Sequence, residues 1–216
     1  MFVKKMVLYY QEMQHHFLGV FILYEKVSLS ITDYLISKGI IDTEKKEIYA
    51  YGFEILISYI CYFIIEFLIA IVTKTVITSI LFFSGFILIR RSAGGYHAST
   101  YIKCHILFAL NHILFIGINA VLPKWIYLPF LIITPIISML AIFSFAPVDH
   151  ENRDFNDNEY KCFKKRSRMC SVIIFLITLV CVFFEITWPY IFSALFGVLS
   201  ATISLIVAYC IKRLKC

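Results

Sequence analysis

The sequence predicts an all-α polytopic membrane protein: about six transmembrane helices, preceded by amphipathic helices at the N-terminus. Three observations carry that reading. Of 216 residues, 61% are hydrophobic, and the mean hydropathy is +0.84; a soluble domain is nearer half apolar. Apolar runs recur along the chain, and the length suits about six spans of roughly 20 residues with short connections. The cations are distributed unevenly between alternate connections, as membrane topology requires.

Residues 1–50 are mixed. Lys4, Lys5, Glu12 and His15-His16 alternate with apolar positions, and Val27 to Ile41 is also broken by charges. A charge at the centre of a span costs about 2.5–3.5 kcal/mol on insertion scales, so these segments are expected to lie in the interface. Ser37-Lys38-Gly39 reads as a helix end, and Asp42 to Glu47 as the start of the next helix, with Asp42 or Thr43 as cap. Residues 51–216 form the membrane domain, with spans expected at 53–73, 75–89, 104–122, 125–146, 170–187 and 189–211. Trp125, Tyr127, Trp188 and Tyr190 sit at span ends, where an aromatic belt belongs. The long connection is 147–169, acidic at its start and basic at its end.

Placing the N-terminus in the cytoplasm puts eighteen of the 20 Lys and Arg inside and leaves only Lys74 and Lys124 outside. The expectation is N-in, C-in in a cell membrane, with residues 90–104 and 147–169 on the cytoplasmic face. The first apolar run is broken by Lys26 and Asp33 and lacks a small-residue cleavage site, so it does not read as a cleavable signal peptide. Seven cysteines are scattered without paired spacing, which argues against a disulfide framework or zinc module and leaves free thiols. No cofactor is implied. Nucleic-acid binding is excluded as a role, because the basic residues follow topology rather than forming a basic domain.

The chemistry concentrates in Arg90-Arg91-Ser92-Ala93-Gly94-Gly95-Tyr96-His97, followed by Cys104, between two apolar runs. A thiol of ordinary pKa, about 8.5, is a poor nucleophile at neutral pH until a cation or a helix N-terminus favours its thiolate. Arg90, Arg91, Lys103 and His97 supply such surroundings for Cys104. In one straight helix His97 and Cys104 would stand about 10 Å apart along the axis, beyond hydrogen-bond reach. Cooperation therefore requires a bend. Gly94-Gly95 supplies the freedom, and Ser99 and Thr100 suit the cap of a helix beginning near Tyr101. Cys104 would then occupy the first turn, where the helix dipole favours an anion. The bland alternative is a Gly-Gly loop with an interfacial His97 and an apolar-packing Cys104.

Other polar groups admit two readings as well. Glu66 and Glu185 lie within apolar runs and are functional candidates by default. Glu66 either orients His97 or pairs with a histidine or hydroxyl of a neighbouring span, and the second is favoured. His105 is expected to face away from Cys104, and His112 to be a buried polar contact. A metal site from His97, Cys104, His105 and His150 lacks recognisable spacing. The basic cluster Lys161, Lys164, Lys165, Arg166 and Arg168 is either a topology anchor beside anionic lipid or a receptor for an acidic peptide tail. The rival class is a small peptide transporter, using Glu66, Glu185 and His112 with Cys104 incidental.

The pattern resembles the accessory gene regulator B family, membrane cysteine endopeptidases that process quorum-sensing propeptides. The likeness is carried by Arg91-Ser-Ala-Gly-Gly-Tyr-His97 with Cys104, by Ile40-Ile41-Asp42 through Tyr49-Ala-Tyr-Gly52, and by Ala146-Pro147-Val148-Asp149-His150-Glu151-Asn152-Arg153. It covers roughly residues 27–210 and leaves the first 26 outside the pattern. The resemblance implies that Cys104 is the nucleophile and His97 the base that becomes the acid. It also implies a thioester acyl-enzyme, closed by a side chain of the peptide into a thiolactone or lactone. The implied substrate has an amphipathic N-terminal helix and a charged C-terminal tail, and the implied working form is a homodimer. Arg90 and Arg91, like the 161–168 cluster, become candidates to hold that tail. Gly94 and Gly95 become candidates for an oxyanion hole. A third catalytic residue is not singled out among Asp149, Glu151 and Glu66.

Overall fold

A computed structural model describes residues 18–96, 98, 101–148 and 155–215. His97, Ser99, Thr100 and 149–154 lie outside the described residues, as do His15-His16 and the rest of 1–17. The protein is all-α, with seven helices among the described residues: α1 (Leu18–Ser37), α2 (Lys46–Val72), α3 (Val76–Ala93), α4 (Tyr101–Val121), α5 (Lys124–Phe145), α6 (Asp157–Cys181) and α7 (Trp188–Lys215). Five of them, α2, α3, α4, α5 and α7, are long and apolar enough to cross a membrane. The chain is a multi-pass membrane protein.

Local chemistry accounts for the boundaries. Helix α1 ends at Ser37: the Gly39 N–H reaches the Ile36 carbonyl at 2.9 Å and the Ile40 N–H reaches Leu35 at 3.0 Å. Those two bonds satisfy carbonyls that the helix end would otherwise orphan. Asp42 precedes a 3-10 turn, Thr43–Lys45, that leads into α2. Its carboxylate does not cap the backbone; it pairs with Lys45 at 2.8 Å, and that ammonium holds the Asp42 carboxyl below the usual carboxylate range.

The fifth expected span, 170–187, is corrected. Residues 157–181 form one helix, so much of the connection expected at 147–169 is helical. Asn156 and Glu159 form a reciprocal capping box, with the Glu159 N–H at 2.8 Å from Asn156 Oδ1 and the Asn156 N–H at 3.3 Å from Glu159 Oε2. The first three turns of α6 are charged, and the apolar part from Met169 to Cys181 rises only about 20 Å. Hydropathy sees that apolar part and misses the capped polar start. Glu185, expected inside a span, is exposed in the 3-10 turn Glu185–Thr187 between α6 and α7.

The chain divides into two compact units, residues 1–69 with 99–105 and residues 70–98 with 106–216. In the first, Asp33 of α1 pairs with Lys46 of α2 at 2.5 Å. In the second, α3 and α7 run against each other at backbone distance. A Cβ at Gly85 would collide with the Ala194 carbonyl, and one at Gly197 with the Phe82 carbonyl. Small residues are what permit such approach in a membrane, where dispersion rather than water exclusion holds helices together. Beside that seam Phe82, Phe115, Leu131, Phe192 and Leu195 form one buried cluster, and Ile89, Ala93, Ile142, Val198, Ala201 and Leu205 form another.

Two polar contacts join helices inside this unit. His112 is fully buried, with Nε2 at 2.9 Å from Ser79 Oγ and its ring stacked on Phe82 at 5.5 Å. It is the buried contact expected of it. Ser200 of α7 donates to Asn111 Oδ1 of α4 at 3.2 Å.

Gly85→Leu or Gly197→Leu is expected to lower stability by about 1–3 kcal/mol through overpacking. Gly117→Ala, at a site with nothing within 4 Å of the added carbon, is expected to unfold at or above the wild-type temperature. Thermal unfolding in detergent, followed by tryptophan fluorescence, checks both.

Candidate functional site

The stretch Arg90 to Cys104 is split between the two units. Its first part belongs to the second unit. Arg90 to Ala93 continue α3 as its last turn, and the Gly94 N–H closes that helix on the Arg90 carbonyl at 3.2 Å. The chain then runs beside Val148, whose N–H reaches the Ala93 carbonyl at 3.0 Å. Gly94 has φ +80° and Gly95 φ +147°, a region that L side chains rarely adopt. A Cβ at Gly94 would meet the Val148 carbonyl, and one at Gly95 the Arg90 guanidinium. Both positions therefore need glycine twice over, for conformation and for space.

Arg90 fixes the path of the chain beyond the glycines. Its guanidinium donates to Ser204 Oγ of α7 at 2.8 Å and to the Tyr96 carbonyl. The Tyr96 N–H returns to the Ser204 carbonyl at 2.9 Å. Ser204 thus holds Arg90 and Tyr96 together, and the backbone arriving at His97 is tied to α7 up to the residue before it. Arg91 is exposed. The Gly94 N–H, a candidate oxyanion donor, is engaged by Arg90.

The second part belongs to the first unit. Helix α4 begins at Tyr101, where the Ser99-Thr100 signal placed it, so Cys104 stands in the first turn. The first four N–H groups of a helix have no intrahelical acceptor. The Cys104 thiol is free and half-buried, and Lys103 beside it is exposed.

Around this turn lies a feature that sequence reading passed over. Glu54, Ser58, Tyr62 and Glu66 of α2 recur at every fourth residue and are all buried, while Leu56, Ile60, Phe63 and Ile64 are exposed. The span turns its polar stripe inward and its apolar side chains outward, as lipid demands. His105 stacks on Tyr62 at 4.6 Å between ring centres, lies 5.2 Å from the Tyr59 ring, and places Nδ1 3.4 Å from Ser58 Oγ. The Tyr62 hydroxyl lies beside the Glu66 carboxylate and within electrostatic range of the Cys104 thiol. Glu66 also acts on the His105 ring. Its surroundings thus include the Tyr62 hydroxyl of its own helix and the His105 ring of α4. The four-residue spacing was the available signal.

The basic cluster sits on α6 rather than on a loop. Lys161, Lys165 and Arg166 are exposed. Lys164 is half-buried with its ammonium 5.6 Å from the Tyr160 ring centre, and Arg168 donates to the Phe143 carbonyl of α5 at 3.0 Å while lying over its ring.

A family model described as accessory gene regulator B matches residues 28–205. The chain belongs to the accessory gene regulator B family. Membership ties it to that regulatory system and to the processing of its autoinducing peptide precursors. No curated protein and no solved structure matches the chain. The transporter reading loses a support, since Glu185 is exposed at a helix junction and His112 is bonded to Ser79.

Arg90→Gln removes the guanidinium bonds to Ser204 and Tyr96, and Ser204→Ala removes the hydroxyl that accepts from Arg90 and from the Tyr96 N–H, each bond worth about 0.5–3 kcal/mol, the upper end applying where a charge is involved. The expected result is faster amide exchange at Tyr96 and its neighbours, with exchange in α5 unchanged. Hydrogen–deuterium exchange by mass spectrometry reads this directly.

Proposed function

We propose that this family member is a cysteine endopeptidase that cuts the C-terminal tail from a signal propeptide and cyclises the remainder. The observation that carries the reading is Cys104 in the first turn of α4, seven residues after His97, in a chain with the family signature.

His97 takes the thiol proton, and Cys104 Sγ attacks the carbonyl carbon of the scissile peptide bond. The tetrahedral oxyanion collapses, the C–N bond breaks, and His97 returns its proton to the departing amine. The N-terminal part is left as a thioester on Cys104. A thiol of the peptide, or a hydroxyl in some substrates, attacks the same carbonyl and expels the Cys104 thiolate, leaving a thiolactone or lactone. Exchange between thioesters is nearly isoenergetic, whereas hydrolysis is irreversible, so the site must hold the internal nucleophile close and keep water out. Gly95 provides the remaining backbone donor of the Gly-Gly pair for the oxyanion.

The propeptide is bound by two features. Its amphipathic helix lies on the membrane surface, and its acidic tail meets the exposed Lys161, Lys165 and Arg166, with Arg91 as a further cation. Both termini and the site face the cytoplasm, a reading supported by the eighteen-to-two distribution of Lys and Arg. That orientation requires a sixth crossing beyond the five apolar helices, which α6 would supply by its full length rather than by its apolar part alone. Its 25 residues rise about 37 Å, and the cations of its first turns stay in the interface. The working form is a homodimer.

Co-expression of the propeptide with Cys104→Ala or His97→Ala is expected to leave it uncut, a loss of at least about 1,000-fold in tail release. Cleavage that persists in Cys104→Ala contradicts the reading. Replacing Lys161, Lys165 and Arg166 by Gln is expected to raise KM for propeptide with little change in kcat, measured by tail release against propeptide concentration.

A further inference from the structure

Helix α4 opens with Tyr101, Ile102, Lys103 and Cys104, whose N–H groups have no acceptor within the helix. Helix ends of this kind fray unless a neighbour holds them. The hold comes at the next residue. His105 is half-buried, and three side chains of α2 surround its ring. Ser58 Oγ lies 3.4 Å from Nδ1, Tyr62 stacks on the ring face at 4.6 Å, and Tyr59 tilts against it at 5.2 Å. Ser58 and Tyr62 stand one turn apart on the same side of α2, and both are buried. The two contacts restrain different motions. The stack, with 20° between the planes, sets the tilt of the imidazole, and the Ser58 hydroxyl sets its rotation within that plane. Residues 99–105 accordingly belong to the same compact unit as this part of α2.

We propose that His105 is a positioning residue for Cys104, seated by Ser58 and Tyr62 of α2. The assignment rests on the reading of Cys104 as the nucleophile. A ring held in tilt and rotation fixes the backbone that carries it, and the Cys104 Cα lies about 3.8 Å along the chain. His105 itself takes no proton from the thiol. Successive residues of a helix point about 100° apart, and this imidazole is engaged by α2 through Nδ1 and one face. Its effect is on alignment. A misplacement of about 1 Å at a reacting centre can cost about 100-fold in rate, and a frayed first turn would let the Cys104 sulfur wander by that much. The polar side of α2 thereby has a task beyond hiding hydroxyls from lipid: it holds the start of α4 still.

The test uses the full chain in membranes, with tail release from the propeptide giving kcat and KM. Alkylation by iodoacetamide, quantified on the Cys104 peptide by mass spectrometry, gives the pH profile of the thiol. His105→Ala and Tyr62→Leu are expected to lower kcat about 100-fold with KM little changed. Amide exchange at residues 106–108, whose N–H groups bond to first-turn carbonyls, becomes faster in both. The alkylation midpoint stays where it is in wild type, because a small reagent needs no alignment with a bound peptide. Tyr62→Phe, which keeps the ring, restores the kcat lost in Tyr62→Leu. His105→Phe, which keeps the stack and lacks Nδ1, falls between wild type and His105→Ala, and adding Ser58→Ala to it costs nothing more. That last pair decides the matter if His105→Ala fails to fold, since full additivity of Ser58→Ala and His105→Phe overturns the proposal. Wild-type kcat in His105→Ala, with Cys104→Ala inactive, overturns the positioning role and leaves the peptidase reading standing. A shift of the alkylation midpoint by more than about one pH unit overturns it in favour of an electrostatic role. Cleavage that persists in Cys104→Ala overturns the peptidase reading and this assignment with it.

Discussion

The close approach of α3 and α7 is the constraint on which the second unit depends. Gly85 and Gly197 let each helix press on the other's backbone carbonyls, and that contact fixes the register of everything beyond it. One turn past Gly85 comes Ile89, and two turns past Gly197 comes Leu205, buried in the same cluster. Arg90 and Ser204 stand beside those residues, so the bond between them follows from the seam. Any side chain at either glycine would part the helices and move Ser204 away from the guanidinium that organises Tyr96.

From that seam the signature acquires a physical division of labour. Its arginine and glycines act as backbone mechanics. Arg90 is a clamp, Gly94 admits the Val148 carbonyl, and Gly95 admits Arg90 itself. Its cysteine stands at a helix start, among N–H groups that have no intrahelical acceptor. A motif that reads in sequence as a set of chemical groups is thus in good part a device for bringing the chain out of α3 on a fixed path as far as Tyr96.

Much of this is legible in the sequence, and the part that is not has separate physical causes. Gly39 ending α1, Tyr101 opening α4 and the apolar cores of the spans rest on local signals, although α3 runs to Ala93, past the expected end at 89. Helix α6 reads short in sequence because its first turns are charged and hydropathy gives them no weight, although the Asn156-to-Glu159 capping box is there to see. The stripe of Glu54, Ser58, Tyr62 and Glu66 escapes notice for a related reason: inside a lipid-facing span the informative face is the polar one. The roles of Ser204 and Val148 are not legible at all, because each acts through a partner more than 50 residues away in sequence. Glu185 is misplaced because the run around it looks continuous, and only the 3-10 turn reveals the break.

The central claim is that Cys104 carries the acyl group of the cut peptide. Intact-protein mass spectrometry on the membrane fraction, after brief exposure to a propeptide whose cyclising residue has been changed to Ala, tests it most directly. With its internal nucleophile gone, the N-terminal part of the peptide is expected to remain on Cys104 as an adduct that hydroxylamine removes. Tail release without any hydroxylamine-sensitive adduct on Cys104 would contradict the thioester mechanism.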